Sequence, residues 1–77
     1  MNRNKAEHRF AVCINNEDYP ASLEVRKIYE VIPDARAAEH GLVRIIDESG
    51  EDYLYAADYF VPIELTKAAE QALLKAS

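Results

Sequence analysis

The sequence holds a single cysteine, Cys13, and no tryptophan. One cysteine excludes an internal disulfide framework and any zinc site built from several thiolates. Glycine and proline are scarce, at two and three residues in 77. That scarcity excludes collagen-like and low-complexity chains, and a composition that is 49% hydrophobic excludes an intrinsically disordered one. No apolar run approaches the roughly 20 residues that a membrane-spanning helix requires, and the first residues lack the apolar core of a signal peptide. Basic residues are also in deficit: nine against fourteen acids give a formal charge of −5. A net negative field repels phosphate backbones, so general nucleic-acid binding is disfavoured. What remains is one small, reduced domain, expected in the cytoplasm and with no membrane association.

Residues 1–8 are polar and aperiodic and read as a flexible lead-in. Phe10–Ile14 is a short, partly β-branched apolar run that suits a buried strand and stops at Asn15-Asn16, which favour turns. A polar loop containing Pro20 follows over Asn15–Ser22. From Leu23 to Ile32 the apolar residues Leu23, Val25, Tyr29 and Val31 recur with period two and predict a second strand, ended by Pro33-Asp34. Asp34–His40 has room for a single helical turn closing at Gly41. Leu42–Ile46 is the third strand, and Asp47–Glu51 a hairpin turn in which Gly50 supplies the positive φ. Tyr53–Tyr55 forms the fourth strand, Ala56–Tyr59 a 3₁₀ turn, and Phe60–Leu65 a fifth strand in which Pro62 implies an edge or a bulge. Thr66 is the expected N-cap of a helix over Lys67–Ala76, docking through Leu73 with Ala69 and Ala76. There are no internal repeats and no linker.

Five short strands, a long first loop and a 3₁₀ turn before the last strand resemble the SH3-like barrel. The resemblance is sharpest at Tyr55-Ala56-Ala57-Asp58-Tyr59-Phe60-Val61, which is similar to the SH3 segment carrying Ser/Ala-Asn-Tyr-Val. Tyr59 falls on its tyrosine and Phe60 on its core valine. Leu23–Ile32 is similar to the stretch leading from the first loop through a diverging turn into the second strand. The sequence as a whole also resembles small uncharacterised bacterial proteins. The resemblance covers residues 9–65 and implies a mainly β fold: a five-stranded SH3-like barrel with a 3₁₀ turn before the last strand, followed by a short C-terminal α-helix over 66–77. Binding of proline-rich peptides does not carry across with it. The two tyrosines of the family's first strand are replaced within Ala11-Val12-Cys13-Ile14-Asn15, and its groove tryptophan has no counterpart.

Chemistry-bearing residues are few. Cys13 sits inside an apolar strand and reads as core, not as a nucleophile paired with His8 or His40. Both histidines are isolated. Asp47–Asp52 lacks the ligand spacing of a calcium loop and reads as a solvated turn blunting a strand edge. Neither metal nor cofactor is expected, and no catalytic set emerges. The five tyrosines, Tyr19, Tyr29, Tyr53, Tyr55 and Tyr59, carry the main signal. In an SH3-like arrangement the first loop folds toward the 3₁₀ turn. Tyr19 and Tyr59, with Tyr55 or Tyr53, then converge beside Glu17, Asp18 and Asp58, a face suited to a basic or arginine-containing peptide. Completing a small core is the alternative use of the same rings. The expectation is therefore a non-enzymatic module, monomeric or weakly self-associating, that binds a protein or peptide partner. Two other readings stay open. One is a nucleic-acid-associated barrel using Arg26 and Lys27 with Arg3, Lys5 and Arg9. The other is a structural subunit docking through Leu73 and Leu74 of its C-terminal helix.

Overall fold

The computed structural model describes residues 9–47 and 49–76; the lead-in expected over 1–8 lies outside them. Strand β1 spans Arg9–Cys13, β2 Ile28–Ile32, β3 Leu42–Ile46, β4 Asp52–Ala56 and β5 Phe60–Ile63. Helix α1 covers Ala35–Glu39, a 3₁₀ turn covers Ala57–Tyr59, and helix α2 covers Lys67–Ala76. The fold is mainly β, as expected, and its five strands form one antiparallel sheet in the order β4-β3-β2-β1-β5. The expected closure is not met. β4 and β5 are the two edges of the sheet and do not pair with each other, so it is not sealed into a barrel. Pro62 lies in edge strand β5 opposite Ala11, where a missing donor costs least.

The strand expected over Leu23–Ile32 is shorter at its start, because β2 begins only at Ile28. The segment before it is a turn. Leu23 is buried at 2% exposure while Val25 is 43% exposed, so their alternation is not that of a strand. Arg26 adopts φ 76, its N–H donates to the Cys13 carbonyl at 2.7 Å, and the Lys27 carbonyl accepts from the Cys13 N–H at 2.9 Å. Apolar period two here comes from a residue that plugs the core from a loop. Smaller differences fall at strand ends: β1 stops at Cys13 and β5 at Ile63.

The helices and turns follow local chemistry. Asp34 Oδ1 accepts from the Ala37 N–H at 3.0 Å and caps α1, whose end passes through Gly41 at φ 72. Thr66 Oγ1 accepts from the Ala69 N–H at 3.1 Å and caps α2. In the β3–β4 hairpin, Asp47 Oδ1 accepts from the Ser49 N–H at 2.9 Å, and Gly50 takes φ 90.

The core lies on one face of the sheet and comprises Ala11, Cys13, Leu23, Tyr29, Ile45, Tyr55 and Phe60. Cys13 has no exposed surface, in keeping with its reading as a core residue. Each large apolar side chain so buried contributes about 1.5–3 kcal/mol. The opposite face buries Phe10, and Leu73 and Leu74 of α2 line a cavity of about 280 Å³ there with Phe10, Ile28 and Ile46. Ala69, Leu73 and Leu74 are half-buried, and the side chain of Ala76 lies outside the described residues.

Candidate functional site

The long loop between β1 and β2 is what carries side chains toward the 3₁₀ turn. Asn15 Oδ1 accepts from the Glu17 N–H at 2.8 Å, and Asn16 Nδ2 donates to the Leu23 carbonyl at 2.9 Å. The Tyr19 carbonyl accepts from the N–H groups of Ser22, at 3.0 Å, and Leu23, at 2.9 Å. Leu23 then anchors the loop in the core, and the Glu24 N–H donates to the Tyr29 hydroxyl at 2.9 Å. At the other end, the Ile14 N–H donates to the Tyr59 carbonyl at 2.8 Å. Loop and 3₁₀ turn are thus joined through backbone and side chain alike.

These connections bring Asp18, Tyr19, Tyr55 and Tyr59 together. The Tyr19 ring meets Tyr55 edge-on at 5.1 Å between centroids and Tyr59 at 6.2 Å. The Tyr59 hydroxyl donates to Asp18 Oδ2 at 2.5 Å. Behind this surface the aromatic contacts continue inward, Tyr55 to Phe60 at 6.1 Å and Phe60 to Tyr29 at 6.0 Å. Such pairs are worth about 0.5–1.5 kcal/mol beyond area burial. The rings differ in burial: Tyr55 is buried in the core, Tyr59 is half-buried and Tyr19 remains 41% exposed.

The electrostatics of this face are acidic. The hydrogen bond to Asp18 holds the Tyr59 hydroxyl above its ordinary pKa, with Glu17 adding in the same direction. Burial pushes the Tyr55 hydroxyl up, a hydrogen bond with Ser22 opposing the shift and the Asp47 charge adding to it. Tyr53 donates its hydroxyl to the Glu51 carboxylate, which raises it as well. Glu17 is thus electrostatically part of the face. Asp58 is exposed on the 3₁₀ turn, next to Tyr59 in the chain.

Of the bases expected for a nucleic-acid face, Arg9, Arg26 and Lys27 lie within the described residues. Arg26 holds the left-handed turn, and Lys27 Nζ sits 5.3 Å from the centroid of the Tyr29 ring. Arg9 begins β1, whereas Arg3 and Lys5 lie outside the described residues. Among the described residues no cluster of three His, Cys, Asp or Glu side chains is positioned to hold a metal ion. No helix among them is long and apolar enough to cross a membrane.

The sequence reading did not anticipate two features. One is a groove of about 550 Å³ beside Tyr19, lined also by Ala21, Ser22, Asp47, Tyr53, Leu54 and Tyr55. The other is an ion-paired arginine: Arg44 Nε contacts Asp34 Oδ2 and its Nη1 contacts Asp52 Oδ2, both at 2.9 Å. The pair ties the cap of α1 to the start of β4. A lone arginine within Leu42-Val43-Arg44-Ile45-Ile46 was the signal for it, since a charge on a half-buried strand needs a carboxylate.

Comparison with known proteins adds no relative: no family model matches the chain, and no curated protein or solved structure is significantly similar to it.

Proposed function

We propose that this domain is a non-enzymatic protein- or peptide-binding module of SH3-like architecture, acting through the face formed by Asp18, Tyr19, Tyr55 and Tyr59. The observation that carries the reading is the edge-on packing of a 41%-exposed Tyr19 on Tyr55 and Tyr59 beside the Asp18 carboxylate. Rings held by one another lose little entropy on binding, so their exposed area is available to a partner at low cost. Acidic groups along the rim favour a partner that presents arginine or lysine, through charge-assisted hydrogen bonds and contacts over the ring faces. The strand order β4-β3-β2-β1-β5 and the 3₁₀ turn before β5 are compatible with the SH3-like part of the reading.

The test is capture of partners from the native host followed by amide chemical-shift mapping on the labelled domain. The expected result is a shifted set centred on Asp18, Tyr19 and Tyr59, and loss of binding in Tyr19→Ala with the fold retained. A partner that leaves all three residues unshifted overturns the proposal.

A further inference from the structure

The face just described ends at β4, and β4 is an edge of the sheet. Which of its backbone groups point outward follows from the hairpin hydrogen bonds. The Ala57 N–H donates to the Gly41 carbonyl, and the Asp47 N–H donates to the Glu51 carbonyl. In an antiparallel ladder hydrogen-bonded pairs alternate with non-bonded ones. Counting inward from these two pairs, Val43↔Tyr55 and Ile45↔Tyr53 are the bonded pairs within the observed register. Leu42↔Ala56, Arg44↔Leu54 and Ile46↔Asp52 are the non-bonded ones. The N–H and C=O groups of Asp52, Leu54 and Ala56 therefore face away from β3, along the open edge.

Several properties of this edge fit an added strand. Tyr53 and Leu54 are 45% and 41% exposed, so apolar surface flanks the backbone groups on both faces of the sheet. The groove shared by Tyr19, Tyr53 and Tyr55 opens beside it. The hydrogen bond to Glu51, followed by the charges of Glu51 and Asp47, raises the Tyr53 hydroxyl pKa, so carboxylates stand beside the groove. On the other face Asp52 is already engaged by Arg44, leaving Leu54 as the exposed contact.

We infer that the β4 edge takes an extended peptide as a sixth strand, with basic side chains on the tyrosine face and apolar ones beside Leu54. This rests on the peptide-binding reading above and adds the backbone mode and the period-two chemistry of the partner. A second copy of this chain is the poorer occupant. Antiparallel self-pairing about Leu54 places the Asp47–Asp52 turn of each copy against Asp58 of the other, and both copies carry a charge of −5.

The probe is a short synthetic peptide of alternating arginine and valine, followed by amide shifts on the full chain. Two N-methylated versions are compared with it, one methylated at every arginine and one at every valine. In an added strand only one of these sets bonds the host, the other pointing to solvent. The expected result is shifts at Asp52, Leu54 and Ala56 together with Tyr19. One methylated peptide should be weakened about tenfold or more, since it forfeits two or three backbone bonds, and the other should bind nearly as the parent does. A glutamate-valine peptide should not bind. Shifts at Tyr19 and Tyr59 with both methylated peptides bound equally overturn the strand mode and leave the tyrosine face standing. No shift at either surface overturns both, and concentration-dependent dimerisation through β4 assigns the edge to a second copy.

Discussion

Arg26 provides a direct test of the turn that replaces the expected start of β2. Its φ of 76 places an L-residue with a Cβ in the left-handed region, which costs about 1–2 kcal/mol relative to the right-handed one. Glycine carries no such cost. Replacing arginine by glycine also enlarges the conformational freedom of the unfolded chain, which takes back about 0.4–1 kcal/mol. The net expectation for Arg26→Gly is a stabilisation of about 0.5–1 kcal/mol, or about 2–8 °C in Tm for a domain of this size. The bonds around the turn, Arg26 N–H to Cys13 carbonyl and Cys13 N–H to Lys27 carbonyl, involve only backbone and survive the change. Arg26→Ala is the matched control, because it removes the guanidinium and keeps the Cβ. It should leave Tm nearly unchanged or slightly lower it. Thermal melts by circular dichroism, with urea titrations to obtain the free energy, separate the two. If alanine stabilises as much as glycine, the effect belongs to the charge. If glycine destabilises, the backbone at residue 26 is not left-handed, and a strand running through Leu23–Lys27 becomes tenable again.

Other perturbations act on the core, the α1 cap and the tyrosine face. Tyr29→Phe removes the hydroxyl that accepts from the Glu24 N–H and should cost about 0.5–1.5 kcal/mol by urea unfolding while leaving the β2 amide shifts in place. Cys13→Ser puts a hydroxyl at a position with no exposed surface, held only by a contact to the Asn15 carbonyl, and should cost about 1–3 kcal/mol; in the native state the Cys13 thiol should react with a thiol reagent only at the rate of unfolding. The Ala37 N–H, and then Arg44, hold the Asp34 carboxyl below its ordinary value. The stability Asp34 contributes is therefore complete above its unfolded pKa near 3.8 and is lost as pH falls through the lowered folded value, so Asp34→Asn should flatten that acid limb of a Tm-versus-pH curve. Tyr59 is shifted the other way: its contribution is complete below its unfolded pKa of 10.0 and is lost as pH rises through the folded value. In an ultraviolet titration of the folded domain, Tyr59→Phe should remove one late-titrating phenol, and Asp18→Asn should make that phenol titrate earlier.

Strand existence was largely legible because the relevant signals are local. Phe10–Ile14, Leu42–Ile46 and Tyr53–Tyr55 each announce a strand by β-branched or aromatic residues between turn formers, and each is one in the structure to within a residue or two. The helix over Lys67–Ala76 is equally local, set by Thr66 and a run of good helix formers. Leu23–Ile32 misled for a physical reason: Leu23 is apolar because the loop plugs the core, and nothing in an arginine codon marks a left-handed turn that glycine would have announced. The meeting of Tyr19 with Tyr55 and Tyr59 was legible through the loop's expected path. The Arg44 pairs and the groove beside Leu54 depend on which strands neighbour one another, and a single strand does not encode its neighbours.

The open sheet gives a reason for the division of labour among the tyrosines. A closed barrel buries its interior between its own walls, whereas a sheet with free β4 and β5 edges needs something else to cover its core face. Here the cover is the β1–β2 loop, fastened by Leu23 at one point and by Tyr19 against Tyr55 at another. Tyr55 is buried in the core and lines the groove, and Tyr19 packs on it from outside, so the ring that covers the core is also the one a partner would meet on the proposed reading. Binding at Tyr19 must then act on the loop that completes the fold. A strand added along β4 would extend the sheet beside the exposed Tyr53 and Leu54. On the proposed reading, stability and binding are coupled through the packing of Tyr19 on Tyr55, and a partner that engages Tyr19 should raise the melting temperature by mass action and slow the opening of the loop in hydrogen exchange.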